Sequence, residues 1–249
     1  MNTGVYGGAA SMATLQKWQE ALTRDIASAS QAGYKKSAVG ISSASLGRIA
    51  GDHGNFQSHL EGSMPEVRVG VSFDQGPLKP TGDSFDFAIS GDGFFKSQGE
   101  HGQTIYKRGG HFHLNTSRQL VDGHNNLILG LGGPIQVNAA DGDLYCDSNG
   151  RLYQGDKFLD QFAITKADRP EAFIRVPGGF VIDPSIDLKL EDVDSPSVHQ
   201  GFIEESNGSA MESMIGLLEV TRAQESNQRL INALDERTQR SLKVLGSAH

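Results

Sequence analysis

The two ends of this 249-residue chain share a pattern that its middle lacks, and this restricts the folds open to it. Within residues 9–30, Met12, Leu15, Trp18, Leu22, Ile26 and Ala29 recur at spacings of three and four, the period of one helical face. Residues 208–245 repeat the signature with Met211, Met214, Ile215, Leu217, Leu218, Ile231, Leu234, Leu242 and Leu245. Gly33 is expected to stop the first helix by taking the left-handed conformation. Ser209, three residues before Glu212, fits a capping box at the start of the second. A helix of that span is about 55 Å long, which calls for a coiled-coil partner. Gln224 and Asn227 interrupt its apolar seam, as residues that fix register do. No third helical pattern covers these faces, and a lone pair would leave apolar flanks exposed. The ends are therefore expected to pair with each other and with further copies of the chain.

The middle reads as short strands and turns. Residues 66–73 alternate cleanly and predict a strand. Residues 85–89 and 94–96 predict a tight hairpin closed by Ser90-Gly91-Asp92-Gly93, a sequence that tolerates positive φ. Further strands are expected at 105–108, 110–114, 119–121, 126–129, 134–138, 143–146, 151–154, 157–165, 172–176, 179–182 and 198–203. Residues 37–64 are rich in Ser and Gly, lack a sustained period and read as an extended connector. The high glycine content, 31 residues, and the sparse aromatics, 7%, favour turn-rich β structure over one dense core.

The expected fold is α+β: an antiparallel β-sandwich or partly open barrel, with long N- and C-terminal helices pairing as a coiled coil. Its expected divisions are a helical segment over 1–36, an extended connector with a β-strand over 37–80 and an antiparallel β domain over 81–182. A second connector over 183–203 and a helical segment over 204–249 complete it.

Charge and side-chain chemistry exclude several functions. The net charge is −8, and residues 41–200 hold 13 basic against 21 acidic groups, so no basic stripe suits nucleic acid. The single cysteine, Cys146, can form no internal disulfide and reads as a small buried side chain. No run of about 18 apolar residues predicts a transmembrane helix. The N-terminus shows neither the basic nor the apolar region of a cleavable secretory signal. His111 and His113 fall on one side of a strand, with His124 nearby in sequence, but lack the ligand spacing of a zinc site. The glycines at 130, 132 and 133 precede no GK[ST], and the Asp-rich turns at 141–143 and 147–150 lack the rest of an EF-hand loop. No G-x-S-x-G elbow or paired carboxylates occur. Neither an enzyme, nor a cofactor, nor a metal, nor a small-molecule substrate is expected.

Four stretches resemble the rod and hook family of bacterial flagella, the axial proteins of the hook–basal body. They are Ser28-Ala29-Ser30-Gln31-Ala32-Gly33-Tyr34-Lys35; Phe87-Ala88-Ile89-Ser90-Gly91-Asp92-Gly93-Phe94-Phe95; Tyr106-Lys107-Arg108-Gly109-Gly110-His111-Phe112-His113-Leu114-Asn115 followed by Gln119-Leu120-Val121; and Gly201-Phe202-Ile203-Glu204-Glu205-Ser206-Asn207 followed by Met211 to Met214 and Thr221 to Glu225. One departure is that Ser28, Ser30 and Gln31 stand where the family has asparagines. The length is more like a rod protein, proximal or distal, than the longer hook protein.

The resemblance implies a structural subunit of the basal-body rod in the cell envelope, transmitting torque and passing unfolded through the flagellar type III export apparatus without a cleavable signal. Its partners would be copies of itself and neighbouring rod and hook axial proteins. The expected assembly interface is Leu15, Trp18, Leu22 and Ile26 with Met214, Leu217, Leu218, Ile231 and Leu234. A hook-type protein and a non-assembling, ligand-binding β module are the alternatives.

Overall fold

Helices stand at both ends of this computed structural model, α1 at Thr3–Ser28 and α2 at Ala210–Gly246. The structure describes residues 3–45, 63–138, 142–183, 185–186, 188–193 and 195–246. Part of the expected connector, residues 46–62, lies outside the described residues, as do Asp141 and the side chains of Leu242 and Leu245. Between the helices run β1 (Ser37–Ser45), β2 (Ser63–Val71), β3 (Leu78–Pro80), β4 (Phe87–Ser90), β5 (Phe94–Gln98), β6 (Thr104–Lys107), β7 (Phe112–Leu114), β8 (Leu120–Asp122), β9 (Leu127–Gly130) and β10 (Gly133–Pro134). They continue with β11 (Leu144–Cys146), β12 (Arg151–Gln154), β13 (Lys157–Gln161), β14 (Ile164–Ala167), β15 (Phe173–Val176), β16 (Gly179–Ile182), β17 (Leu190–Asp192), β18 (Ser197–Gln200) and β19 (Phe202–Glu204).

The chain forms two compact units. The first holds most of α1, all of α2, β1 and most of β2. There, β1 and β2 pair, with Gly40 beside Arg68 and Gly70 beside Ala38, an antiparallel register. Strand β1 is not signalled by its Ser/Gly-rich sequence; β pairing here rests on the partner strand and not on side-chain pattern.

The second unit holds Ser28–Lys36 and Val71–Gly208. Its largest sheet runs β15-β16-β6-β5-β9-β8-β7, with β10 on β9, β14 on β5 and β17 on β14. Smaller sheets are β11-β12-β13, β18-β4 and β19-β3, and the registered pairs are antiparallel. The expected antiparallel β class is present, but the sheets do not close into a barrel.

Two cores fill this unit. Neighbouring residues of a strand face opposite sides, so β5 sends Phe95 into one core and Phe94 into the other. Phe95 meets Phe112 and Phe162 edge-on at 5.4 and 5.2 Å, and Phe87 meets Phe162 at 4.9 Å. Phe94 meets Phe73 and Phe173 at 5.4 and 5.2 Å. Each fully buried ring contributes about 1.5–3 kcal/mol of apolar burial, and the edge contacts add to it.

The expected hairpin over 85–96 is corrected. β4 pairs with β18, whereas β5 pairs with β6, β9 and β14. The connection does turn, with Gly93 at φ +134°, but it carries the chain from one sheet to another. The turn is held from outside: the Arg108 guanidinium donates to Gly93 O at 2.6 Å and to Ile89 O at 3.1 Å, and Gln75 Nε2 donates to Ile89 O at 3.3 Å. Those carbonyls turn inward to the cation. Residues 157–165 likewise divide between β13 and β14 in different sheets, with the buried Phe162 at the change.

Candidate functional site

A charge cluster in the second unit joins the segments that follow α1 and precede α2. At its centre is Glu204, wholly buried at the end of β19. Its Oε1 accepts from Lys35 Nζ at 2.6 Å and from Gly76 N at 2.9 Å; its Oε2 accepts from Arg108 Nε at 2.7 Å. Lys35 and Arg108 are also buried, at 1% and 4% exposure. One carboxylate therefore faces two cations. The surplus positive charge is met by carbonyl oxygens: Asp74 O accepts from Lys35 Nζ at 2.6 Å, and Arg108 holds Gly93 O and Ile89 O. Burial pulls the Lys35 ammonium below the usual lysine value, with the Glu204 bond acting against it.

The surroundings fix the same two segments. Gly33 N donates to Glu204 O at 2.7 Å, and Glu205 N donates to Pro77 O at 2.9 Å. Gly33 has φ +70°, and a Cβ there would collide with the backbone of Gly109. Its glycine is thus required by close approach, five residues beyond the end of α1, and not as the residue that stops the helix. Asn207 accepts from Lys36 N at 2.7 Å through Oδ1, and its Nδ2 donates to Ser72 O and Asp74 O, both at 2.9 Å. Arg175 stacks its guanidinium on the Tyr34 ring at 4.5 Å and donates to Lys35 O. Lys35, Gly93, Arg108 and Glu204 each come from a different one of the four motifs, so the cluster is where those motifs meet.

A second buried pair, Lys107 with Asp122 at 2.5 Å, closes the turn after β8. Burial alone would raise the Asp122 carboxyl. The Lys107 charge and donors from Lys107 and Asn126 outweigh it and hold the group below the usual aspartate value. Lys107 is itself held low, because burial outweighs the same attraction.

In the first unit, the positions of α2 screened from solvent include 213, 217, 220, 224, 227, 231, 234 and 238, alternating by four and three. Gln224 Nε2 donates to Gln19 Oε1 at 2.8 Å, and Asn227 Nδ2 donates to Gly8 O at 3.0 Å. A Cβ at Gly8 would meet Ile231 at 2.7 Å, and one at Gly216 would meet Leu22 at 3.2 Å. Rising numbers in α1 thus meet falling numbers in α2, and the helices run antiparallel. The two polar residues expected to fix register are those that bond across.

The nine expected interface residues fall into separate groups. Leu15, Trp18, Leu22 and Ile26 are half-buried on α1, as are Leu217, Ile231 and Leu234 on α2. Met214 and Leu218 are instead exposed, in one stripe with Met211 and Ile215. Sequence reasoning did not single out Lys35, Arg108 or Glu204. The available signal was charge set among apolar and glycine residues, as in Phe202-Ile203-Glu204 and Arg108-Gly109-Gly110.

Of the other chemistry weighed, His111 Nδ1 pairs with Asp86 Oδ1 at 2.6 Å, and its ring is largely exposed. Among the described residues, no group of three or more His, Cys, Asp or Glu side chains is placed to hold a metal ion. Cys146 is buried, which pushes its thiol up to about 12. None of the described helices is long and apolar enough to cross a membrane.

The second unit holds a buried ion cluster that fixes segments and the first holds helices with apolar faces, features that suit a structural class of protein. Comparison with known proteins gives the class its family. Residues 88–153 match the flagellar hook protein FlgE/F/G D1 domain, and residues 199–244 match the flagellar basal body rod FlgEFG protein C-terminal region. The chain is 31% identical over 179 residues to the flagellar basal-body rod protein FlgF of Mesorhizobium japonicum, covering 71% of this chain and 73% of that one. It is 27% identical to the FlgF of Rhizobium meliloti over 249 residues, 100% of both chains. The flagellar hook protein FlgE of Brucella abortus is 35% identical over 133 residues, but these are only 31% of that protein. The chain belongs to the flagellar basal-body rod protein family. It is a structural rod subunit of the flagellar basal body that assembles with other axial flagellar proteins, and it is not an enzyme.

Proposed function

We propose that this chain is a FlgF-type rod subunit whose terminal helices pair as an antiparallel coiled coil and build the rod. The observation that carries the FlgF assignment is the end-to-end match to a rod protein of equal extent. The alternation by four and three along α2, with register-fixing bonds from Gln224 and Asn227, supports the coiled coil. In this reading Leu15, Trp18, Leu22, Ile26, Leu217, Ile231 and Leu234 hold the pair together. Met214 and Leu218 meet neighbouring subunits through head-to-tail contacts that propagate a tube. Helices α1 and α2 then act as the assembly module, and Ser28–Lys36 with Val71–Gly208 as the β domain. The rod so formed transmits torque to the hook. Its subunits pass through the type III export apparatus and keep their N-terminus.

The test is recovery of the chain from basal bodies isolated from cells that encode it. Wild-type chain with an uncleaved N-terminal peptide should be found in the rod fraction. The variant Met214→Glu/Leu218→Glu should be made and exported but absent from that fraction. Incorporation of the variant at wild-type level would remove the exposed stripe from the assembly interface.

A further inference from the structure

We infer that the second unit carries a binding groove for a short neutral pyranose glycan, between β11 and β18. The groove is a broad depression open to solvent, with a volume of about 580 Å³. Tyr145 and His199 line it, and further rings continue from both. Tyr153 lies 6.4 Å from Tyr145 and Phe158 lies 5.7 Å from Tyr153, while Phe202 lies 5.9 Å from His199. Tyr145 is 60% exposed and Phe158 54%, an unusual display of large rings on a sheet face. Tyr145 offers an apolar face with a polar tip.

The lining excludes other ligand classes. None of its residues is Lys or Arg, so a phosphate or another polyanion finds no counter-charge. An extended peptide could add to the free edge of β11, but Gln200 already occupies that edge. Its Oε1 accepts from Cys146 N at 2.9 Å and its Nε2 donates to Leu144 O at 2.8 Å. Strand addition requires those same two groups. An apolar helix would find Asp83, Ser84 and Ser148 against it. What fits is a ligand with flat C–H faces and many hydroxyls. Sugar rings stack on Tyr145, and their hydroxyls bond Asp83, Ser148 and the His199 ring.

The test is titration of cellotetraose, chitotetraose and maltotetraose, each separately, into the isotope-labelled full chain, followed by amide NMR. At least one sugar should give saturable shifts confined to the amides of Tyr145, Ser148, His199 and Gly201. Tyr145→Ala should weaken that binding about tenfold, the size of one aromatic contact. Tyr145→Phe should retain it and leave the thermal unfolding midpoint in place, whereas Tyr145→Ala also loses the cross-strand contact with Tyr153 and lowers the midpoint slightly. No saturable shift with any of the three sugars would overturn the inference, as would binding indifferent to Tyr145→Ala. So would shifts of these amides with protein concentration alone, which would assign the face to a second copy of the chain.

Discussion

Glu204 is the carboxylate that bonds both buried cations directly, so the members of the cluster are not equivalent. Removing it as Glu204→Ala strands Lys35 and Arg108 together, a change expected to cost about 3–5 kcal/mol. Lys35→Met removes the surplus cation and leaves the Arg108–Glu204 pair balanced. It should cost clearly less, and urea unfolding of the two variants would reveal the order. Equal losses would mean that the cluster's charges do not govern its stability. Asp122 gives the pH dependence. Its carboxyl is held below the ordinary aspartate value, so the native state binds the proton less readily than the unfolded chain does. The stability it contributes is complete above that ordinary value, about 3.9, and is lost as pH falls through the lower folded value. Asp122→Asn should therefore lower the unfolding midpoint at pH 7 and flatten its fall between neutral pH and pH 3. An unchanged acid slope would exclude Asp122 as its source.

Each face of α2 is expected to respond to substitution in its own way. Ile231 is half-buried against Gly8 of α1, and a charge there leaves an unpaired group inside a packed contact. Ile231→Lys should reduce helical circular dichroism and lower the melting temperature of the isolated subunit. Leu218→Lys alters an exposed position and should leave both unchanged. If both variants melted alike, the division of α2 into a screened and an exposed face would be wrong. The helices themselves were legible in the sequence, because a period of 3.6 repeated over many residues admits few other readings. Most strands were legible too, from alternation between turn residues. Which strands pair was not. The turn at residues 90–93 looks like a hairpin locally, but Arg108 and Gln75, both from outside it, hold the backbone around it. The cluster was hidden for the same reason: Lys35, Arg108 and Glu204 are far apart along the chain, and nothing local marks them as partners. The apolar spacing placed Met214 and Leu218 with Leu217, though their exposures separate them.

In the molecule as a whole, the segments 28–36 and 204–208 belong to the β unit, not to the helices they lead to. They are tied down by backbone bonds as well as by charge: Gly33 to Glu204, Ser72 to Lys36 and Asn207 to Tyr34. Hydrogen exchange on the isolated full chain should show the amides of Gly33, Ser72 and Glu205 protected with the β core. The amides of α2 should exchange faster than these. Uniform exchange from residue 28 through the β core would show that these segments are loose before assembly.

The cluster also sets a schedule for the chain. Lys35, Asp74, Gly76 and Arg108 all precede Glu204, which lies 169 residues after Lys35. A polypeptide delivered N-terminus first, from a ribosome or through a narrow channel, presents both cations long before the carboxylate that neutralises them. Until its last fifth arrives the β unit cannot complete its central contact.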